Sequence, residues 1–100
     1  MKKSILSFLL VGKNRHRVLQ CLEENKSEGE IMSYKIEKYT ELPKSHISKA
    51  LKELNEYGLV KCTNDEDRKF KFYMITPKGQ RVLKQVNKLV EDIKKEWLLG

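Results

Sequence analysis

One stretch in the middle of the chain has the clearest pattern of apolar and polar positions. Between Pro43 and Gly58 the apolar residues recur at spacings of three and four, which predicts an amphipathic helix with one buried stripe: Ile47, Ala50, Leu51, Leu54 and Tyr57. Pro43 disfavours helix in the residue before it, so the helix should begin at Pro43. Gly58 follows the last stripe residue, where a left-handed cap favours glycine. The opposite face is small, polar and cationic.

Two apolar segments lie near the start of the chain. Asn14 can cap a helix that buries Val18, Leu19 and Leu22 and leaves Arg15, Arg17, Glu23 and Glu24 outside. The apolar run from Ile5 to Val11 is too short to be stable alone, so it must pack on the domain or on a second chain.

A shorter helix is predicted from Ser33, as its cap, through Thr40, with Ile36 and Tyr39 buried. The turn Thr40-Glu41-Leu42 then leads directly into the helix that begins at Pro43. Two short helices joined by about three residues form a helix-turn-helix.

The second half of the chain predicts a hairpin and a long helix. The runs Leu59 to Thr63 and Phe70 to Ile75 resemble strands, and the polar segment between them forms the hairpin tip. Thr76 is a suitable cap and Pro77 a suitable first residue for a helix that runs to about Leu98.

The apolar residues of this last helix indicate a homodimer. A coiled-coil seam of alternating spacings of three and four is formed by Leu83, Val86, Val90, Ile93 and Trp97, and Val82 and Leu89 widen the stripe. The alternative, packing on the chain's own first helix, accounts for the first two turns only. We therefore expect one domain over residues 1–100, with segments 1–12 and 80–100 in dimerisation.

Charge favours a polyanionic partner. The 100 residues carry 21 Lys and Arg against 14 Asp and Glu, a formal charge of +7. The abundance of Lys and Glu is also typical of proteins from hot environments.

The apolar run near the start ends at Gly12 with no cleavage site for a signal peptidase, and no stretch is long enough to span a membrane, so we expect a cytoplasmic protein.

No catalytic or cofactor motif is present in the sequence. The glycines are isolated, and no zinc-binding His pair or nucleophile elbow occurs, so we expect neither enzymatic activity nor a cofactor. Cys21 and Cys62 should be buried, reduced thiols. A metal sensor built from these thiols with His16 or His46 stays an alternative, but closely spaced ligands are absent.

Three segments together resemble the winged helix-turn-helix transcription regulators, especially the MarR-like group and its small archaeal relatives. The run Lys44 to Leu54 is similar to the family's recognition helix, and Asn55 to Val60 to the turn after it. Asp65 to Lys69, followed by Ile75 to Gly79, resembles the family's wing and the cap of its next helix. The resemblance implies a mainly α (α+β) fold with a two-stranded wing and a long C-terminal helix.

The resemblance also implies a site for double-stranded DNA. The recognition helix would read the major groove through Lys44, Ser45, His46 and Lys49, and Arg68 on the wing would enter or flank the minor groove. Ser48, Lys52 and Lys69 complete the candidate DNA-binding set. Glu37 and Glu41 depart from the family pattern, which usually has a small residue and a turn glycine there.

Two other classes of function compete with this interpretation. The same fold can direct its recognition helix at a protein, and Glu53, Glu56 and the acidic wing tip favour such an interaction module without DNA binding. Single-stranded or RNA binding needs an exposed aromatic platform, whereas Phe70, Phe72 and Tyr73 alternate within a strand that should be buried on at least one face. For an isolated helix, exposed lysines would indicate only a solvated surface.

Overall fold

The computed structural model describes residues 5–63 and 71–99, with side chains up to residue 96. Five helices are present in these ranges: α1 (Ile5–Val11), α2 (Lys13–Glu24), α3 (Ser33–Thr40), α4 (Lys44–Glu56) and α5 (Pro77–Leu99). Three short strands accompany them: β1 (Ile31–Met32), β2 (Val60–Cys62) and β3 (Phe72–Ile75). A 3-10 turn, Lys26–Glu28, follows α2. The mainly α architecture with a long C-terminal helix is as the sequence predicts.

The core is formed where α2 packs across α4. Each helix contributes one apolar stripe, and the predicted stripe of α4 is confirmed, since Ile47, Ala50, Leu51 and Leu54 are buried and Tyr57 is half-buried. From α2 the buried side chains are Val18, Leu19, Cys21 and Leu22. Burying each large aliphatic side chain contributes about 1.5–3 kcal/mol, so this contact fixes α4 with its other face outward.

The sheet has three strands in the described ranges, whereas the sequence predicted two. Antiparallel β3 lies between β1 and β2, with Ile31 opposite Tyr73 and Val60 opposite Ile75. The predicted strand at Leu59 to Thr63 is shorter, Val60–Cys62, and the other begins at Phe72 rather than Phe70. Two residues are too few to show a period of two, so β1 carried no signal in the sequence. The predicted hairpin tip lies outside the described residues.

The prediction that Asn14 caps α2 is wrong. Gly12 is the residue before the helix, its carbonyl accepts a hydrogen bond from the His16 N–H at 3.0 Å, and this cap position has no side chain to contribute. Only Gly12 separates α1 from α2, so the helix begins at Lys13 and Asn14 lies within its first turn. Arg15 bridges the junction by donating from Nη1 to the Phe8 carbonyl oxygen at 3.1 Å.

The starts of α3 and α4 differ from prediction by one residue each. Ser33 was predicted as a cap but is the first residue of α3, after the extended Met32. Pro43 was predicted as the first helical residue but is extended, at φ −60° and ψ 146°. Its carbonyl accepts the first hydrogen bond of α4, from the Ile47 N–H at 3.1 Å, so Pro43 occupies the cap position.

Tyr39 was predicted to be buried on α3, and this is wrong. Its side chain is 44% exposed, and its hydroxyl donates to Glu28 Oε2 at 3.0 Å. The buried residue at this end of α3 is Thr40, whose hydroxyl is satisfied by donating to the Ile36 carbonyl at 2.7 Å. The next residue, Glu41, has a left-handed φ of 60°, a conformation that costs any residue other than glycine some strain.

The C-terminal end of α4 is fixed by hydrogen bonds to its own last turn. Gly58 is left-handed at φ 73°, as predicted, and its N–H donates to the Asn55 carbonyl at 3.0 Å. The Leu59 N–H donates to the Leu54 carbonyl at 2.9 Å. These two bonds form a Schellman cap, which directs the chain into β2.

The start of α5 lies against this cap. Thr76 caps α5 as predicted, since its Oγ1 accepts from the Gly79 N–H at 3.0 Å, and the same hydroxyl donates to the Gly58 carbonyl at 2.6 Å. The Thr76 N–H donates to the Leu59 carbonyl at 3.0 Å. Gly79 approaches the same carbonyl so closely that a Cβ built on it would lie 2.1 Å from the Leu59 oxygen.

The long helix α5 is buried for part of its length. Val82, Leu83 and Val86 are buried, whereas Leu89 is 38% and Ile93 44% exposed. The segment Ile5–Val11 forms α1, which packs against α5 and buries Phe8 and Leu9. Ile5 and Leu6 are partly buried, whereas Leu10 and Val11 are 41% and 77% exposed. The side chain of Trp97 lies outside the described residues.

We expect Gly79→Ala to lower the free energy of unfolding by about 3 kcal/mol or more. The added methyl group would clash with the Leu59 carbonyl oxygen, which accepts a hydrogen bond from the Thr76 N–H. Because this oxygen belongs to the backbone, it cannot rotate away as a side chain would. Urea denaturation followed by circular dichroism measures the change. Lys78→Ala, at the exposed neighbouring position, is the control and should stay within about 0.5 kcal/mol of the parent. Equal stability of the two variants would contradict this packing.

Candidate nucleic-acid interface

The exposed face of α4 carries all the candidate residues that the sequence placed on this helix. The side chains of Lys44, Ser45, His46, Ser48, Lys49 and Lys52 are exposed, and the buried stripe lies on the other side. Residues Glu41, Leu42 and Pro43 connect α3 to α4. A helix held in this way projects from the domain surface and can enter a groove about 12 Å wide.

The cations of this face are available to an external partner. In the part of the chain that the structure describes, Lys44, Lys49 and Lys52 are not within ion-pair distance of a carboxylate. Lys26 and Lys35 differ, since Lys26 Nζ lies 2.6 Å from Glu23 Oε1 and Lys35 Nζ lies 3.2 Å from Glu28 Oε1. Cations that face outward together on one helix form the electrostatic footprint expected for binding phosphates.

One arginine of α2 joins α1 to α4. Arg15 of α2 donates from Nη2 to Glu53 Oε2 at 2.6 Å, and its guanidinium carbon lies 4.1 Å from the centre of the Phe8 ring. Phe8 in turn stacks on Tyr57 with ring centres 4.0 Å apart. This cluster fixes the flank of α4 and neutralises a carboxylate beside the exposed cations.

The family model of the winged helix DNA-binding domain matches residues 17–79 of the chain. The chain belongs to this family. The match extends from α2 through the helix-turn-helix and the sheet to the first turn of α5. A comparison with curated protein sequences gave no match.

Solved structures share the winged-helix fold over most of the chain. A MarR family transcription regulator aligns with a TM-score of 0.67 and 20% identity, over 86% of this chain and 54% of its own length. A point mutant of MepR from S. aureus, solved bound to an oligodeoxyribonucleotide, gives 0.70 and 15% identity over 87% of this chain and 63% of its own. An Archaeoglobus fulgidus protein gives 0.65 and 18% identity over 90% and 97%.

The chain aligns with only part of the two larger structures. The winged-helix chain described here spans 54% and 63% of the two larger structures, and nearly all of the Archaeoglobus fulgidus protein. At identities of 14–20% the similarity establishes the fold shared with MarR-like regulators.

Part of the candidate site lies outside the described residues. Arg68 and Lys69, predicted to bind DNA from the wing, fall in the gap between residues 63 and 71. Of the candidate set, the structure therefore brings together the six residues of α4, and the wing contacts stay predictions.

The two cysteines occupy different environments in the winged-helix domain. Cys21 is buried as predicted, and this burial raises the pKa of its thiol. Cys62 was predicted to be buried but is half-buried, because β2 lies at the edge of the sheet.

Among the described residues, no three His, Cys, Asp or Glu side chains are grouped as metal ligands. In the same part of the chain, no helix has the length and apolar character needed to cross a membrane.

The role of Arg15 is not evident from the sequence pattern. The helical pattern placed Arg15 on the outer face of α2, which is correct for a helix taken alone. Its partner Glu53 lies 38 residues later, and no local spacing connects the two. A half-buried arginine with an aromatic neighbour is evident only after α1 and α4 have packed against α2.

The Arg15–Glu53 pair predicts a pH-dependent stability. The hydrogen bond from Arg15 lowers the pKa of the Glu53 carboxyl below its ordinary value of 4.5 in the folded protein. A lowered folded-state pKa stabilises the fold above the unfolded-state pKa, and this contribution is lost as the pH falls through the folded-state value. At pH 7 we expect Glu53→Gln to cost about 0.5–1 kcal/mol, because the pair is partly solvated.

Urea denaturation at pH 7 and at about pH 3 measures the difference between the parent and Glu53→Gln. The difference should be present at pH 7 and should shrink at the lower pH. Glu56→Gln removes an exposed carboxylate from the same helix and is the control, with little effect at either pH. A cost of Glu53→Gln that does not depend on pH would contradict the ion pair.

Proposed function

We propose that this protein is a transcription regulator that binds double-stranded DNA sequence-specifically as a homodimer. The recognition helix α4 enters the major groove, and the wing, through Arg68 and Lys69, contacts the minor groove. The observation that carries the proposal is the exposed face of α4, which presents three lysines, a histidine and two serines from a domain of a DNA-binding family. MepR, which shares this fold, was solved with an oligodeoxyribonucleotide bound.

The face of α4 supports a division between base and backbone contacts. Residues in the first turn of a recognition helix reach base edges, whereas later cations meet phosphates. Lys44, Ser45 and His46 lie in the first turn of α4, and Lys52 lies two turns further on. We therefore assign sequence preference to the first turn and non-specific affinity to Lys52.

The alternative, a module that binds a protein instead of DNA, is weakened by the Arg15–Glu53 ion pair. Glu53 and Glu56 were the helix carboxylates that favoured it. Glu53 is 26% exposed and bonded to Arg15, so of these two carboxylates Glu56 alone is fully presented by α4. The face that remains is cationic, which fits phosphates better than a neutral protein surface.

Fluorescence anisotropy with duplexes tests the proposed function. A duplex selected from a random pool should bind more tightly than random DNA. If each half-site neutralises about four phosphates, log affinity should fall with log salt at a slope of about −7 for a dimer.

Lys44→Ala or His46→Ala should lower affinity roughly 5- to 150-fold on the selected duplex and little on random DNA. Lys52→Ala should weaken both alike, and Arg68→Ala should cost most on sites with A·T-rich flanks.

Two results would count against these assignments. Equal losses on selected and random DNA for every variant would mean that the first turn of α4 does not read bases. Failure of the parent protein to bind any duplex, even at low salt, would refute the function and leave the protein-interaction module as the better account.

Dimerisation is proposed through the apolar residues that α1 and α5 leave exposed. Leu89 and Ile93 of α5 and Leu10 and Val11 of α1 are exposed on helices that pack against each other. A groove of about 570 Å³ beside them is lined partly by Leu9, Val86 and Val90. A second copy would cover this surface and place two recognition helices about 34 Å apart, one turn of DNA.

Sedimentation of the parent and of Ile93→Asp tests the dimer. The parent should sediment as a dimer at tens of micromolar, and the variant as a monomer, because a carboxylate at Ile93 would be buried without a partner in the interface. Gln85→Asp adds the same charge off the apolar stripe and should stay dimeric. A monomeric parent, or a dimeric Ile93→Asp, would contradict the assignment. DNA affinity should fall together with dimerisation.

A further inference from the structure

A cleft lies between the start of α2 and the exposed edge of α4. It has a volume of about 550 Å³. Its lining includes Gly12 and Ala50, and charged or polar side chains from both helices: Lys13, Asn14, Arg15, His46, Lys49 and Glu53. His46 and Lys49, three residues apart, lie on the edge of α4 that faces α2. The cleft is therefore continuous with the candidate DNA-binding face.

The side chains that line the cleft carry a net positive charge. Three permanent cations and one carboxylate line the cleft. The carboxylate, Glu53, is neutralised by Arg15 through the 2.6 Å hydrogen bond. Lys13 and Lys49 are left, both exposed and, within the described residues, outside ion-pair distance of any carboxylate. Two lysines from different helices thus face one cleft whose carboxylate is already paired.

The geometry of a helix in the major groove determines what meets this cleft. A helix with its side chains is about 10–12 Å wide, and the groove is about 12 Å wide, so the helix fills it. An element that flanks the helix must therefore meet the wall of the groove. That wall is the sugar-phosphate backbone, which carries one charge per roughly 1.7 Å of helix axis.

We propose that the cleft binds a phosphate of the DNA backbone, with Lys13 as a contact outside the helix-turn-helix. This inference rests on the proposed function, since it takes α4 to occupy the groove. Lys49 meets the same phosphate from α4, so one backbone group is held from two helices. Because Lys13 lies on α2, which packs on α4, the contact anchors the domain to the backbone beside the groove. It carries no sequence information of its own.

The variant Lys13→Gln tests the site, with Lys84→Gln as the control. Lys84 is an exposed lysine on α5 and lines a different cleft. Anisotropy titrations of the full chain with selected and random duplexes, between about 50 and 200 mM salt, give affinity and salt slope. A dimer loses two phosphate contacts in Lys13→Gln, so the slope should become shallower by about 1.8 and affinity should fall roughly 10- to 30-fold at about 0.15 M salt.

Lys13→Gln should lower affinity for both duplexes by the same factor, and Lys13→Arg should retain the parent's salt slope. A slope for Lys13→Gln equal to that of Lys84→Gln would overturn the phosphate contact while leaving the function in place. A change in the ratio of selected to random binding would also overturn it, because Lys13 would then read bases. Failure of the parent to bind any duplex would refute the proposed function itself.

Discussion

The position of α4 depends on the junction where its C-terminal end meets the first turn of α5. The Leu59 carbonyl accepts the Thr76 N–H, and Gly79 has no side chain to displace that carbonyl. The Thr76 hydroxyl donates to the Gly58 carbonyl while it accepts the Gly79 N–H. The exit of α4, the sheet and α5 therefore share one set of backbone hydrogen bonds. A shift of any one of them would break hydrogen bonds that hold the other two.

The other side of α4 is held by a different kind of contact. Arg15 combines an ion pair to Glu53 with a cation–π contact to Phe8, and Phe8 stacks on Tyr57. This cluster connects α1, which belongs to the proposed dimer surface, with α4, which belongs to the proposed DNA surface. It also neutralises a carboxylate that would otherwise repel phosphates near Lys49. Position and charge of the candidate site thus depend on the same arginine.

The sequence predicted correctly those elements that are determined by residues close together in the chain. The stripe of α4 spans enough turns to show its period, and Thr76 with Pro77 specifies a helix start with little reference to other segments. The Asn14 cap was wrong for a local reason, since Gly12 takes that place. Two other differences involve residues distant in the chain: the hydroxyl of the exposed Tyr39 donates to Glu28, and β1 pairs with β3.

The candidate site shows the same division. The six residues of α4 follow from one helix and one resemblance, so the sequence was sufficient to name them. The cleft beside them is formed by Lys13 and Lys49, which are 36 positions apart in the chain and meet only in the packed domain. Helix starts shifted by one residue changed no conclusion, whereas the missed tertiary cluster changed which charges face outward.

The most direct test of the account is to add a selected duplex to the isotope-labelled protein and follow its backbone amide shifts. If α4 is the DNA-reading helix, the largest changes should fall on Lys44 to Lys49 and on the start of α2, and residues on the outer face of α5 such as Lys84 and Lys88 should change little. Changes that spread over α5 while α4 stays unperturbed would contradict the central claim.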